Sequence, residues 1–333
     1  MERRTFLAML AGGLVASPLS VEAQPTPPVR RIAVVGVGET DPELAEARKE
    51  GLRRLGWVEG RNIIVERLGL PVGPTSSARL QELARDLVRL KIEVIMASNN
   101  VAIAAAKAVT TTIPIVMVNA EDPVRQGYVA SLARPGGNIT GSTFSVAPEA
   151  LGEIRGKGID FLVECRPGLS RLAVLLDPNY PSYRTSWLSV EAAARSRGMA
   201  VQAVEVREAR DLGDTFARMV KDRAQAIQII GSPFIYRMRG QIAELAVRHR
   251  LPTGYPWRAG PEAGGLLSYG ASLHALWHQA AVSVDKILKG ANPADLPIEQ
   301  PTKFELVINL RTAKALGLSI PPSLLQRADQ VIE

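Results

Sequence analysis

Short apolar runs alternate along the chain with longer amphipathic stretches. "RIAVVGVG" is a β-rich run ending at Gly36 and Gly38, and "DPELAEARKEGLRRLGW" follows with Asp41 as a cap, Pro42 at the first helical position and Gly56 as a stop. "NIIVERL" reads as a second strand and "SSARLQELARDLVRL" as an amphipathic helix. "VIMAS" is then a buried strand, "NVAIAAAKAV" a helix and "IPIVMV" a fourth strand. The order βαβαβαβ predicts a parallel sheet, because parallel neighbours need a crossover helix between them.

The second half repeats that order. "RLAVLL" leads into Asp177-Pro178-Asn179 and the helix "PSYRTSWLSVEAAARSRG". Strand "MAVQAVEV", helix "DLGDTFARMVKDR", strand "AIQII", helix "IYRMRGQIAELAVRHR" and strand "TGYPW" follow. Between the halves, "VNAEDPVRQGYVASLARPGGNITG" predicts a helix over "VRQGYVASLAR", a Pro135-Gly136-Gly137-Asn138 turn, and a strand "NITGSTF" that crosses to the second half. "PEAGGLLSYG" is its counterpart, feeding the helix "SLHALWHQAAVSVDKILKG". Two such crossings describe a hinge.

The predicted fold is therefore α/β, two Rossmann-like lobes with parallel sheets joined by hinge crossovers. Residues 30–141, with part of the C-terminal tail, form lobe one, and residues 169–265 form lobe two. Residues 266–333 supply a crossover helix and a tail, with a Pro321-Pro322 stop, that ties the lobes together.

Composition narrows the function classes. The 333 residues are 46% hydrophobic and 22% charged, enough for two ordinary domains, and the net charge of +7 comes from interspersed Arg and Lys with no basic block. That favours a solvated basic surface over a nucleic-acid arm, and no basic/aromatic alternation suggests a single-strand groove. "MERRTFLAMLAGGLVASPLSVEAQ" predicts a signal peptide over residues 1–23, cleaved near Ala23, with Arg3-Arg4 compatible with twin-arginine as well as Sec export. No later apolar run approaches the roughly 20 residues of a membrane-spanning helix, so a periplasmic protein that does not span the membrane is expected. Cys165 is the one cysteine, at a helix end before Pro167, and cannot form an internal disulfide.

Open parallel sheets bind ligands beyond the carboxyl ends of their strands. In lobe one those ends are Gly38-Glu39-Thr40, Ser98-Asn99-Asn100 and Asn119 to Asp122; in lobe two they are Asp177 to Tyr180, Ser232-Pro233-Phe234 and Tyr255-Pro256-Trp257. Small polar and aromatic groups dominate, beside helix N-termini that suit a carboxylate. No cofactor motif is present: "GVGETD" has Asp41 where a dinucleotide fingerprint needs glycine, and no phosphate loop occurs. His274 and His278 share a helix face, but two ligands do not make a metal site. No acid/base constellation or hydrolase elbow stands out, so no catalytic residue is assigned.

Four runs carry a resemblance: "GLRRLGWVEGRNI", "IPIVMVNAEDPVRQGYVASLARPGGNITG", "ELAVRHRLPTGYPWRAGPEAGGLLSYG" and "ILKGANPADLPIEQPTKFELVINLRTAKALGLSIPPSLLQRADQVIE". Over essentially its whole length the chain resembles the bacterial ABC-transporter substrate-binding proteins of the tryptophan-type group. The resemblance implies a type I periplasmic-binding fold that closes on a small organic solute, such as an amino acid or an aromatic or carboxylate-bearing compound, and delivers it to an inner-membrane ABC permease. It places ligand contacts at Ser98, Asn99, Asn119 and Asp122 in lobe one, and at Asn179, Ser232, Tyr255 and the crossover residue Tyr269 in lobe two; Asn100 and Tyr180 flank them on the same strand ends. "GLPVGPTSSARL" and "GEIRGKGIDFLVECRPG" depart from the family pattern. Two alternatives stay open at this point, a sensory binding protein docking on a membrane receptor and a cleft enzyme on the same scaffold.

Overall fold

Strand β1 (Arg30–Val37) pairs in parallel with β2 (Ile63–Leu70) on one side and β3 (Val94–Ala97) on the other. In the computed structural model, which describes residues 28–37, 41–71, 77–144 and 148–333, β4 (Ile115–Ala120) and β5 (Ile139–Thr143) complete a parallel sheet in the order β2-β1-β3-β4-β5. Side chains alternate faces along a strand, so each apolar run divides between two cores. Ile32, Val34, Met96 and Val116 pack with helix α1 (Pro42–Arg54), whereas Ala33, Val35, Ile95 and Met117 face the opposite way onto α2 (Ser77–Arg89) and α3 (Asn100–Val109).

After Phe144 the chain passes to the second lobe and forms α4 (Pro148–Cys165). Its sheet comprises β6 (Arg171–Leu176), β7 (Ala200–Glu205), β8 (Ala226–Ile229), β9 (Thr253–Tyr255), β10 (Leu267–Ala271), β11 (Phe304–Asn309) and β12 (Gln330–Ile332). The order is β12-β11-β10-β9-β8-β6-β7, and the β10–β11 pair is antiparallel while the others are parallel. One face packs on α4 and α5 (Tyr183–Arg195), the other on α6 (Leu212–Lys221), α7 (Pro233–Arg237) and α8 (Arg239–Arg248). A short α9 (Ala259–Glu262) precedes β10. Helix α10 (Leu273–Leu288) then returns to lobe one, where Leu276, Trp277, Ala280 and Val284 complete the core that α1 begins. Two further short helices, α11 (Leu310–Ala315) and α12 (Pro322–Leu325), lie in the tail.

Several expectations need correction. "VRQGYVASLAR" forms turns instead of a helix: Asp122 and Gly127 take positive φ angles of 49° and 68°, breaking the run on either side of a single turn. "NITGSTF" is not a crossover strand, because β5 stays in the lobe-one sheet beside β4. "LLSYG" likewise stays in the lobe-two sheet as β10, and the crossing falls after it, at Ser272. "IYRMRGQIAELAVRHR" is two helices that meet at Met238. Three crossings, not two, connect the lobes: Glu299 runs beside Ser142 of β5 before the chain re-enters lobe two as β11. The expected signal peptide and Gly38-Glu39-Thr40 lie outside the described residues.

Candidate functional site

The carboxyl ends of both sheets open onto one cavity of about 450 Å³ between the lobes. That volume falls within the range of small-molecule sites. Lobe one contributes Gly36, Ser98, Asn99 and Asn119 from strand ends, and lobe two contributes Gln228, Ser232, Trp257 and Tyr269.

Six of the expected residues reach it: Ser98, Asn99, Asn119, Tyr180, Ser232 and Tyr269. Asn99 caps α3, its side-chain oxygen accepting from the Ala102 N–H at 3.1 Å while its amide donates to Ser98 Oγ, also at 3.1 Å. Ser232 caps α7 in the same way, accepting from Ile235 N–H at 3.1 Å and donating to Asp177 Oδ2 at 3.0 Å. Tyr269 meets Phe161 edge-on at 5.1 Å and Phe304 at 6.1 Å. Burial pushes the Tyr180 phenol up, so it stays a neutral wall.

Four expected residues do not line the cavity. Asn100 is fully buried and uses both side-chain atoms on the Glu121 backbone, at 2.9 Å each. Asp122 sits on the turn beyond β4, with its carboxylate accepting from Arg125 N–H at 3.3 Å. Asn179 is exposed on the loop after β6. Tyr255 belongs to the lobe-two core, where its ring lies against Gly260 and Gly265. A strand end carries residues of alternating direction, so adjacency in sequence does not put both neighbours on the cavity.

The most constrained groups are ones that the expected ligand contacts do not include, although Glu121 falls within the Asn119 to Asp122 strand end. Glu121, one residue past β4, is buried and meets three side chains of the other lobe. Arg155 Nη2 of α4 lies 3.0 Å from Glu121 Oε1, and the hydroxyls of Ser182 and Ser186 both donate to the Glu121 carboxylate. Arg155 also donates to Ser186 Oγ at 2.7 Å. Burial lowers the Arg155 pKa from its ordinary value, and the Glu121 charge opposes that shift. Nearer α1, Asp41 Oδ2 accepts from Arg239 Nη2 at 2.8 Å and from the Tyr236 hydroxyl at 3.2 Å. The Arg239 guanidinium lies 4.5 Å from the Tyr236 ring centroid, and Trp257 meets Tyr236 edge-on at 5.2 Å. Sequence held one signal for Arg155: it sits at the helical spacing of Gly158, Ile159 and Leu162, the buried face of α4, where a charge needs a partner.

Charge pairing across the boundary and apolar walls suit reversible enclosure of a small molecule. Among the described residues no group of three or more His, Cys, Asp and Glu could hold a metal ion, and no helix is long and apolar enough to cross a membrane.

The family profile of ABC transporter substrate-binding proteins matches residues 42–332. The chain belongs to that family. This substrate-binding protein is 21% identical over 280 residues to a tyrosine-binding protein of Clostridioides difficile (strain R20291), spanning 83% of this chain and 78% of the relative. In fold it is similar to an ABC domain from Streptococcus pneumonia in complex with L-Trp, with a TM-score of 0.80, 22% identity, and coverage of 91% of this chain and 99% of that one. The ligand-free, open structure of CD0873, a substrate-binding protein with adhesive properties from Clostridium difficile, gives a TM-score of 0.65 at 19% identity, with coverage of 91% and 99%. The family is one of binding proteins and not of enzymes, which removes the cleft-enzyme alternative.

Proposed function

We propose that this substrate-binding protein is exported to the periplasm, takes an amino acid with an aromatic or large apolar side chain into the interlobe cavity, and delivers it to an inner-membrane ABC permease. The observation that carries the reading is the cavity itself, built from both lobes, walled by Tyr236, Trp257, Tyr269 and Phe304, and crossed by charged pairs. Aromatic walls suit a flat apolar side chain, while the Ser98-Asn99 end of β3, at the start of α3, offers polar groups to a solute's head. The tyrosine-binding and L-Trp-bound relatives support the same solute class. Export rests on the N-terminal "RRTFLAMLAGGLVA" run followed by Ala23.

Mechanically, the solute contributes to closure by touching both lobes, shifting the population from splayed to closed about the three crossings. The interlobe pairs contribute in parallel, since they form only when the lobes meet.

Thermal denaturation of the mature chain against amino acids, aromatic acids, sugars and purines tests this directly, because a ligand of the folded form raises the melting temperature by mass action. A rise confined to aromatic or large apolar amino acids is expected. A rise with sugars or purines instead, or none with any amino acid in a correctly folded sample, rejects the proposed solute class.

A further inference from the structure

Five charged side chains line the cavity among the described residues: Asp41, Glu121, Arg155, Arg237 and Arg239. Four of them are committed to one another across the cleft. Glu121 holds Arg155 at 3.0 Å and Asp41 holds Arg239 at 2.8 Å, each acid from lobe one and each arginine from lobe two. Arg237 forms no ion pair among the described residues, so the described lining carries one uncompensated positive charge, and it belongs to this residue.

Its placement follows from the local sequence. Ser232 caps α7 and Pro233 opens it, while Phe234 and Ile235 point into the lobe-two core and fasten the short helix there. The remaining turn presents Tyr236 and Arg237 to the cleft. Tyr236 is held by Asp41 and by the Arg239 guanidinium over its ring, which leaves Arg237 as the exposed neighbour, without an ion-pair partner among the described residues.

We infer that Arg237 is the residue that selects for a carboxylate on the solute, anchoring it at the cavity rim while the aromatic walls take the side chain. This deepens the amino-acid reading above and rests on it. A planar guanidinium matches a carboxylate two bonds at a time, and the charges of Arg155 and Arg239 are already countered by Glu121 and Asp41, with Arg155 donating further to Ser186 and Arg239 to the Tyr236 carbonyl. The same charge also draws an anionic group toward the cleft before contact is made. Recognition of the solute's charge and closure of the lobes thus fall to different arginines.

Isothermal titration with L-tryptophan and L-tyrosine, and with L-tryptophanamide and L-tyrosinamide, tests the assignment in wild type and in Arg237→Met and Arg237→Lys. Arg237 is exposed, so neither substitution disturbs the core. In wild type the acid should bind better than its amide. Arg237→Met should weaken the acid about tenfold or more and leave the amide unchanged, because only the acid uses a charged hydrogen bond there. Arg237→Lys should fall between, keeping the charge and losing the fork. Equal loss for acid and amide, or no loss for either, overturns the Arg237 assignment while leaving the amino-acid reading in place; a residue serving only permease docking would give the second result. Failure of the folded wild type to bind any of the four compounds overturns the aromatic-amino-acid reading and this inference with it.

Discussion

Glu121 and Arg155 face each other across the lobe boundary at 3.0 Å, one at the end of a lobe-one strand and the other on the buried face of a lobe-two helix. Their pairing differs from a core ion pair in one respect. Opening the lobes returns both charges to water, so the desolvation cost of the pair is borne only by the closed form.

Replacing Glu121 with Gln keeps the shape and removes the charge, leaving Arg155 without its counter-ion. Breaking a buried pair from one side costs about 3–5 kcal/mol when the remaining charge stays buried. Opening of the lobes, which returns Arg155 to water, would relieve most of that cost. Small-angle scattering should therefore show an increased radius of gyration, and titration a weaker solute affinity, with little loss of melting temperature. Scattering and affinity indistinguishable from wild type would mean that the pair does not hold the lobes together.

Gly231 lies two residues past β8 and against the Trp257 indole. A Cβ there would stand 2.2 Å from Trp257 Cζ2, so Gly231→Ala must displace the indole and, with it, the edge-on contact to Tyr236. Overpacking of this kind costs about 1–3 kcal/mol. Tryptophan fluorescence should shift and solute affinity should fall together. Gly213→Ala is the control, since nothing lies within 4 Å of that position in α6. An unshifted spectrum in the Gly231 variant would show that the indole does not depend on this close approach.

Cys165 is buried at the end of α4, and burial, with a smaller effect of Glu164, pushes its thiol up to about 12 from an ordinary 9.0. Native protein should resist iodoacetamide at pH 8 and take up one equivalent on unfolding. The same shift fixes a pH trend. Above about 9 the unfolded chain releases a proton that the folded chain keeps, so this contribution to stability is intact below 9 and lost as pH rises toward about 12. Urea midpoints measured from pH 8 to 11 should fall, and fall less steeply in Cys165→Ala. Parallel slopes in the two proteins would assign the loss to other groups, among them Tyr128, whose phenol burial also raises to about 12.

Most strands and long helices were legible because parallel sheets buried on both faces demand continuous apolar runs. "NVAIAAAKAV" is helix α3 residue for residue. Local pattern does not encode which sheet a strand joins, so "NITGSTF" and "LLSYG" read as segments at the crossings, whereas both stay within their own lobes. The cavity residues divided for a similar reason. Asn99 and Ser232 cap helices at strand ends, a signal contained in a few neighbouring residues. Glu121 acquires its partners from positions 34 to 65 residues away, and Asp41 from nearly 200 away, separations that periodicity does not encode.

The return of α10 to lobe one has a consequence for biosynthesis. The face of the first sheet formed by Ile32, Val34, Met96 and Val116 is finished by Leu276, Trp277 and Val284, which the ribosome supplies only after the β6–β10 core of the other lobe. A nascent chain stopped before residue 273 therefore carries an uncovered apolar sheet face, however complete its own strands are. The first lobe to be translated is sealed only after five strands of the second have been made, and during that interval a chaperone or the export machinery has an apolar surface to hold.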